Sequence, residues 1–101
     1  MVIGMIEFEW DPEKAETNFR KHRVGFPEAA TVFRDPLSIT IFDPDHSEGE
    51  DRCITIGQTE RDRVVMVAHT DRRSRTRIVS ARELTRAERE AYEEEVKRRT
   101  A

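Results

Sequence analysis

The sequence has a single cysteine, Cys53, among its 101 residues. That excludes an internal disulfide and a cysteine-based zinc site, and a reducing compartment fits. With no paired motif around it, Cys53 reads as a small apolar strand residue rather than a catalytic thiol. No apolar run approaches the roughly 18 residues of a membrane span. Met1 to Ile6 has no basic start and turns acidic at Glu7, which does not make a signal peptide, so a cytoplasmic location is expected. Repeats, linkers and low-complexity segments are missing, and one domain over residues 1–101 with a small core is expected. Also missing are a phosphate-cradling glycine loop, a zinc spacing and a serine elbow. No metal site and no cofactor are expected.

What is abundant is charge. Charged residues make up 39% and apolar residues 36%, which leaves little apolar material for a second core. The net charge of -3 speaks against nucleic acid, but its distribution does not. Residues 61–89 hold nine arginines against four acids, while the remainder holds nine bases against seventeen acids. Fifteen of the eighteen bases are arginine, whose fork suits phosphate. A solvated, salt-bridged face would explain the same charges equally well.

The pattern predicts elements in the order strand, helix, helix, four strands, helix. Ile3 to Phe8 alternates weakly as a first strand. Asp11 can cap a helix that Pro12 and Glu13 begin, and Ala15, Asn18, Phe19 and His22 share one of its faces. Gly25 is the expected stop. Pro27 begins a second short helix, ended by Asp35-Pro36. Leu37 to Phe42, Arg52 to Gly57, Arg63 to His69 and Arg75 to Arg82 read as strands, with a hairpin tip at Gln58 to Arg63. Thr85 and Glu88 form a capping box ahead of a helix with a narrow apolar stripe of Leu84, Ala87, Ala91 and Val96, and Tyr92 beside it. The expected fold is α+β: an antiparallel sheet of about four to five strands with two N-terminal helices and one C-terminal helix.

Several residues could carry chemistry. The acidic loop of Asp43, Asp45, Glu48, Glu50 and Asp51 around His46 matches no ligand spacing and reads as solvated. His22 ends the first helix beside Lys21. A histidine there can take or give a proton in phosphodiester cleavage, and Lys21 could hold a phosphate oxygen. The competing reading, which the pattern alone favours, is a structural histidine closing the helix. Arg72, Arg73, Arg75 and Arg77 crowd the last hairpin. Arg75 and Arg77 point one way along the strand, and Ser80 and Arg82 the other. Such arginines can grip an RNA backbone and stabilise a pentavalent phosphorane, or merely protect an exposed edge. Trp10 and Tyr92 could stack a base, although a lone tryptophan is more often core.

Taken together, the segments resemble the BrnT family of toxins. The resemblance is carried by Phe8-Glu9-Trp10-Asp11 with Lys14, Ala15 and Asn18, then by Lys21-His22 with Val24 and Phe26. It continues through Glu28-Ala29, Val32-Phe33, Asp35-Pro36, Glu50 with Arg52, Ile56-Gly57, the run from Arg77 to Arg82, and Glu88 with Tyr92-Glu93. It implies a fold related to the RelE ribonucleases, with helices cupping a sheet, and RNA cleavage that blocks translation. Cleavage in the related fold usually needs no metal and uses the RNA 2′-hydroxyl as nucleophile. The implied partner is a ribbon-helix-helix antitoxin, BrnA, in a dimer or hetero-oligomer that touches operator DNA only through the antitoxin. By resemblance, Lys21, His22, Arg52, Arg77 and Arg82 occupy family-motif positions of the catalytic region, and the hairpin arginines Arg72, Arg73 and Arg75 are candidate substrate contacts. Gly25-Phe26-Pro27 departs from the family where a capping serine or threonine is common. The alternative function is a binding module without chemistry, whose basic surface docks an antitoxin or DNA.

Overall fold

The computed structural model describes residues 1–46 and 49–101. Glu48 of the acidic loop and the side chain of His46 lie outside what it describes. The first predicted strand is a hairpin. Strands β1 (Val2–Ile3) and β2 (Ile6–Glu9) are folded back on each other at Gly4, whose φ of +60° suits a residue without Cβ. Helix α1 (Pro12–His22) starts as expected, with Asp11 Oδ1 accepting from the Glu13 N–H at 2.8 Å. Its end differs from expectation. Arg23, not Gly25, takes the left-handed conformation (φ +58°), and its N–H donates to the Phe19 carbonyl. Gly25 instead precedes α2 (Phe26–Ala30), where it offers no side-chain cap.

The remaining strands are β3 (Ile39–Phe42), β4 (Arg52–Gln58), β5 (Val64–Arg72) and β6 (Arg75–Glu83), followed by α3 (Arg86–Thr100). Among the described residues the sheet has six strands, in the order β1-β2-β6-β5-β4-β3, more than the four to five expected. The extra strand comes from the split of Ile3 to Phe8. One pairing, β2 against β6, is parallel, through Glu7, Phe8 and Glu9 opposite Arg75, Thr76 and Arg77.

The core lies on one face of the sheet. Val24, Phe26, Ala29, Ala30 and Val32 cover Phe8, Val65, Val67, Ile78 and Ala81. Phe33 packs edge-on against both Phe8 and His69, each at 5.0 Å. Trp10 packs on Phe26 at 6.0 Å, on the core side. The helix arrangement needs correcting. α2 has only five residues and passes at once into a 3-10 turn (Thr31–Arg34), and α3 does not cup the sheet. No residue of α3 is buried, and Ala87 and Ala91 of its expected apolar stripe are exposed. This helix is polar nearly all round and laced with its own ion pairs, such as Arg86 to Glu90 and Arg89 to Glu93. No helix among the described residues is long and apolar enough to cross a membrane.

Two buried polar devices hold the parts in register. Asn18 lies where β6 runs past the end of β2. Its amide donates to the carbonyls of Val24 (3.0 Å) and Ala81 (2.8 Å) and accepts the Ala81 N–H (3.1 Å). One side chain thus substitutes for a neighbouring strand. Glu28, 7% exposed, receives Arg63 on both oxygens (2.5 and 3.0 Å) and the Thr59 hydroxyl at 2.8 Å. Arg63 also donates to the carbonyl of Arg23, which ties the α1–α2 turn to the β4–β5 hairpin. Those Arg63 hydrogen bonds hold the Glu28 carboxyl below its ordinary range against the opposing effect of burial.

Candidate active-site groove

The face of the sheet opposite the core carries the candidate site. Its residues follow from strand pairing. Ile54 stands opposite Ala68, Ala68 opposite Ser80, and Met66 opposite Arg82, while Arg52 lies two residues before Ile54 on the same face of β4. The last strand departs from regular alternation. Thr70 pairs with Arg77, His69 with Ile78 and Ala68 with Ser80, so Val79 is an extra, bulged residue. The bulge corrects the sequence expectation that Ser80 and Arg82 lie on the face opposite Arg75 and Arg77. All four share the open face, while Ile78 and Ala81, three apart, both point into the core.

His22 is delivered from the side, at the end of α1. It lines a groove of about 310 Å³ together with Asp43, Arg52, Ile54, Met66, Ala68, Ser80 and Arg82. It also lines an adjoining groove of about 430 Å³ with Lys14, Thr17, Lys21, Val79 and Ser80. Lys21 is exposed and His22 half-buried, and neither has a hydrogen-bond or ion-pair partner among the described residues. An imidazole without a partner among the described residues therefore stands on the rim of a groove floored by Ile54, Met66 and Ala68, with two guanidinium groups lining it.

Of the predicted residues, His22, Arg52 and Arg82 come together, and Lys21 lies next door. Arg77 is on the same face but outside this groove, and its Nε donates to Glu9 at 2.9 Å. Arg72, Arg73 and Arg75 line a separate concavity of about 690 Å³ at the β5–β6 hairpin, with Glu9, Glu50 and Asp71. Most of these arginines face carboxylates. Arg72 binds Glu50 through two nitrogens (3.1 and 3.2 Å), and Arg75 lies 3.3 Å from Glu7 and 3.8 Å from Glu9. Arg82 clasps Glu88 with both terminal nitrogens (2.8 and 2.9 Å). Those bonds, with the Thr85 backbone N–H, bring the Glu88 carboxyl down to about 2. Arg73, at the hairpin tip with φ +57°, has no such partner among the described residues.

Sequence reasoning missed the carboxylates. Glu9 is unreadable as a partner of Arg77 because a parallel pairing across 68 residues leaves no local signal. Glu88 carried a signal as the capping-box acid, but not its second task on Arg82. Cys53 sits half-buried in β4, and burial, then Asp71 and Asp51, push its thiol up, away from a reactive thiolate. His69 is a core residue, its Nε2 2.7 Å from the Thr55 hydroxyl. Among the described residues no three histidine, cysteine or acidic side chains come together as a metal site would need.

Comparison with known proteins finds similarity both in sequence and in fold. The sequence model of the BrnT ribonuclease toxins of type II toxin–antitoxin systems matches residues 10–88. The fold is similar to that of the ribonuclease toxin BrnT of Brucella abortus in its crystal structure. The TM-score is 0.60 at 19% sequence identity, over 81% of this chain and 100% of that one. No curated protein matches the sequence.

Proposed function

The chain belongs to the BrnT family of ribonuclease toxins of type II toxin–antitoxin systems, and from that premise we propose that it cuts RNA in the groove where His22, Arg52 and Arg82 meet. The observation that carries this reading is the uncommitted His22 imidazole lining one groove with two guanidinium groups. The reaction is transesterification. The 2′-oxygen attacks the adjacent phosphorus, the 5′-oxygen leaves, and His22 either takes the 2′-hydroxyl proton or supplies one to the leaving oxygen. Arg52 and Arg82 offset the charge that builds on the phosphorane, and Lys21 holds a phosphate oxygen from the adjoining groove. Arg77 and the hairpin arginines Arg72, Arg73 and Arg75 continue the positive track along the same face. Arginines do the electrostatic work of a cation, so no metal is required. This is the chemistry expected of a fold related to the RelE ribonucleases.

The chain acts in this reading as a single domain in the cytoplasm. A ribbon-helix-helix antitoxin of the BrnA kind covers it in a hetero-oligomer, and operator DNA is reached only through that partner. The test is incubation of the purified chain with total RNA, with and without chelator. Expected are fragments with 5′-hydroxyl ends that persist in chelator. Loss of cleavage in chelator with recovery in magnesium would overturn the metal-free mechanism.

One observation favours a second reading, a docking module without chemistry. Arg72, Arg75, Arg77 and Arg82 already hold carboxylates of their own, which weakens a phosphate grip. RNA binding without cleavage in the same assay would support it.

A further inference from the structure

The Arg82–Glu88 clasp lies at the edge of the proposed groove and differs from the other arginine pairs in what it ties down. Glu88 belongs to the first turn of α3. Its Oε1 accepts from Arg82 at 2.8 Å and also from the Thr85 backbone N–H at 2.9 Å, completing the capping box that starts the helix. Arg82 gives its end-on fork, Nη1 and Nη2, to the two carboxylate oxygens, and Nη1 donates further to the Glu83 carbonyl. A phosphodiester recognised by that fork needs the same two donors at the same spacing. An arginine already clasped to a carboxylate presents no net charge to it.

We propose that Glu88 stands in for an RNA phosphate on Arg82, and that α3 is a latch whose first turn lets go when substrate takes the fork. This rests on the RNA-cleavage reading above. The exchange is cheap. No residue of α3 is buried, and several of its ion pairs lie within the helix itself, exposed to water. Arg82 and Glu88 are themselves 37% and 36% exposed, so neither needs to leave a dry site. The carboxylate removed and the phosphate gained carry the same single charge, and contacts to neighbouring phosphates favour the RNA. The latch tunes substrate affinity: it raises the concentration of RNA needed to occupy the groove and couples occupancy to the order of the C-terminal helix.

The test compares the full wild-type chain with Glu88→Gln. Glutamine still accepts the Thr85 N–H and keeps the capping box, but it gives Arg82 no charge. The probe is a fluorescent pool of short single-stranded RNA, 2′-O-methylated so that it cannot be cut. Glu88→Gln is expected to bind about tenfold tighter, with a salt slope steeper by about one phosphate contact. The gain should vanish in an Arg82→Gln background. Equal or weaker binding by Glu88→Gln would overturn the latch and make Glu88 a support for Arg82. A second measurement needs no variant. In the wild-type chain, amide exchange across 86–89 should quicken when RNA binds, and unchanged or slower exchange counts against the proposal. The two readings fail separately. Unmodified RNA that is bound by both proteins and cut by neither removes the cleavage reading, while the binding and exchange comparisons still decide the latch.

Discussion

Arg77 and Ser80 point to the same face of the sheet although they are three positions apart. A regular strand forbids this, because side chains alternate. Val79 is the residue that makes up the difference: its partner strand steps from Ala68 to His69 while β6 steps from Ser80 to Ile78. The bulge aligns Arg75, Arg77, Ser80 and Arg82 along one surface and still sends Ile78 and Ala81 inward.

That relationship makes deletion at Val79 as tolerable as substitution. Val79 is half-buried, so Val79→Ala should cost about 1 kcal/mol or less. Deleting Val79 regularises the strand. Ser80 then follows Ile78 directly, and the pairings of Ile78 with His69, Ser80 with Ala68 and Ala81 with Val67 keep every side chain on its face. The deletion should therefore cost about as little as Val79→Ala, which a urea titration would read. A deletion mutant destabilised by more than about 3 kcal/mol would show that the bulge itself carries a packing or pairing constraint.

Asn18 gives a second contrast. Asn18→Ala leaves the Ala81 N–H and carbonyl without the partner that closes the edge of β6, at an expected cost of roughly 2–4 kcal/mol. Asn18→Asp keeps the acceptor for the Ala81 N–H but turns a second oxygen toward the carbonyls of Val24 and Ala81. It should be at least as unstable as the alanine variant. If aspartate were tolerated, the amide donor would contribute nothing.

Acid should weaken the fold in two windows. Burial lowers the His69 pKa below its ordinary 6.5, and its Nδ1 lacks a hydrogen-bond partner among the described residues. The unfolded chain therefore binds a proton that the folded one refuses. The His69 contribution is complete above about pH 6.5 and declines as pH falls, by up to about 1.4 kcal/mol per unit. Glu28 and Glu88 are shifted below their ordinary 4.5, so their contribution is lost only below that, with Glu88 titrating near 2. His69→Gln should flatten the urea-midpoint profile between about pH 6.5 and 5 while leaving the lower window in place. A slope that survives the substitution would assign the upper window to another group.

Local signals were legible in the sequence; distant pairings were not. The Asp11 and Thr85 caps, Pro27, the 58–63 hairpin tip and three of the strand spans follow from patterns within a few residues. So does the gathering of arginines late in the chain. The parallel β2–β6 pair, the bulge at Val79 and the carboxylate partners depend on what lies across the sheet, and no neighbour in sequence encodes them. The apolar face read for α1 buries Asn18, while Phe19 is 47% exposed beneath the Arg23 guanidinium. Spacing finds a face, but an asparagine with two carbonyls and an N–H to satisfy decides which side of it goes inward.

Replacing His22 separates function from structure. The imidazole ends α1, half-buried, and no hydrogen bond among the described residues depends on it. A structural histidine would have a partner, as His69 has in Thr55. His22→Gln keeps much of the volume and one acceptor but cannot titrate. The melting temperature should therefore stay within a few degrees, and RNA affinity should hold because the arginines remain. Cleavage should fall by roughly 10²- to 10⁴-fold, the range lost when a positioned acid or base is removed. A folded His22→Gln protein that cuts at the parental rate would remove the imidazole from the mechanism. Cleavage would then rest on Lys21, Arg52 and Arg82, acting by position and charge alone.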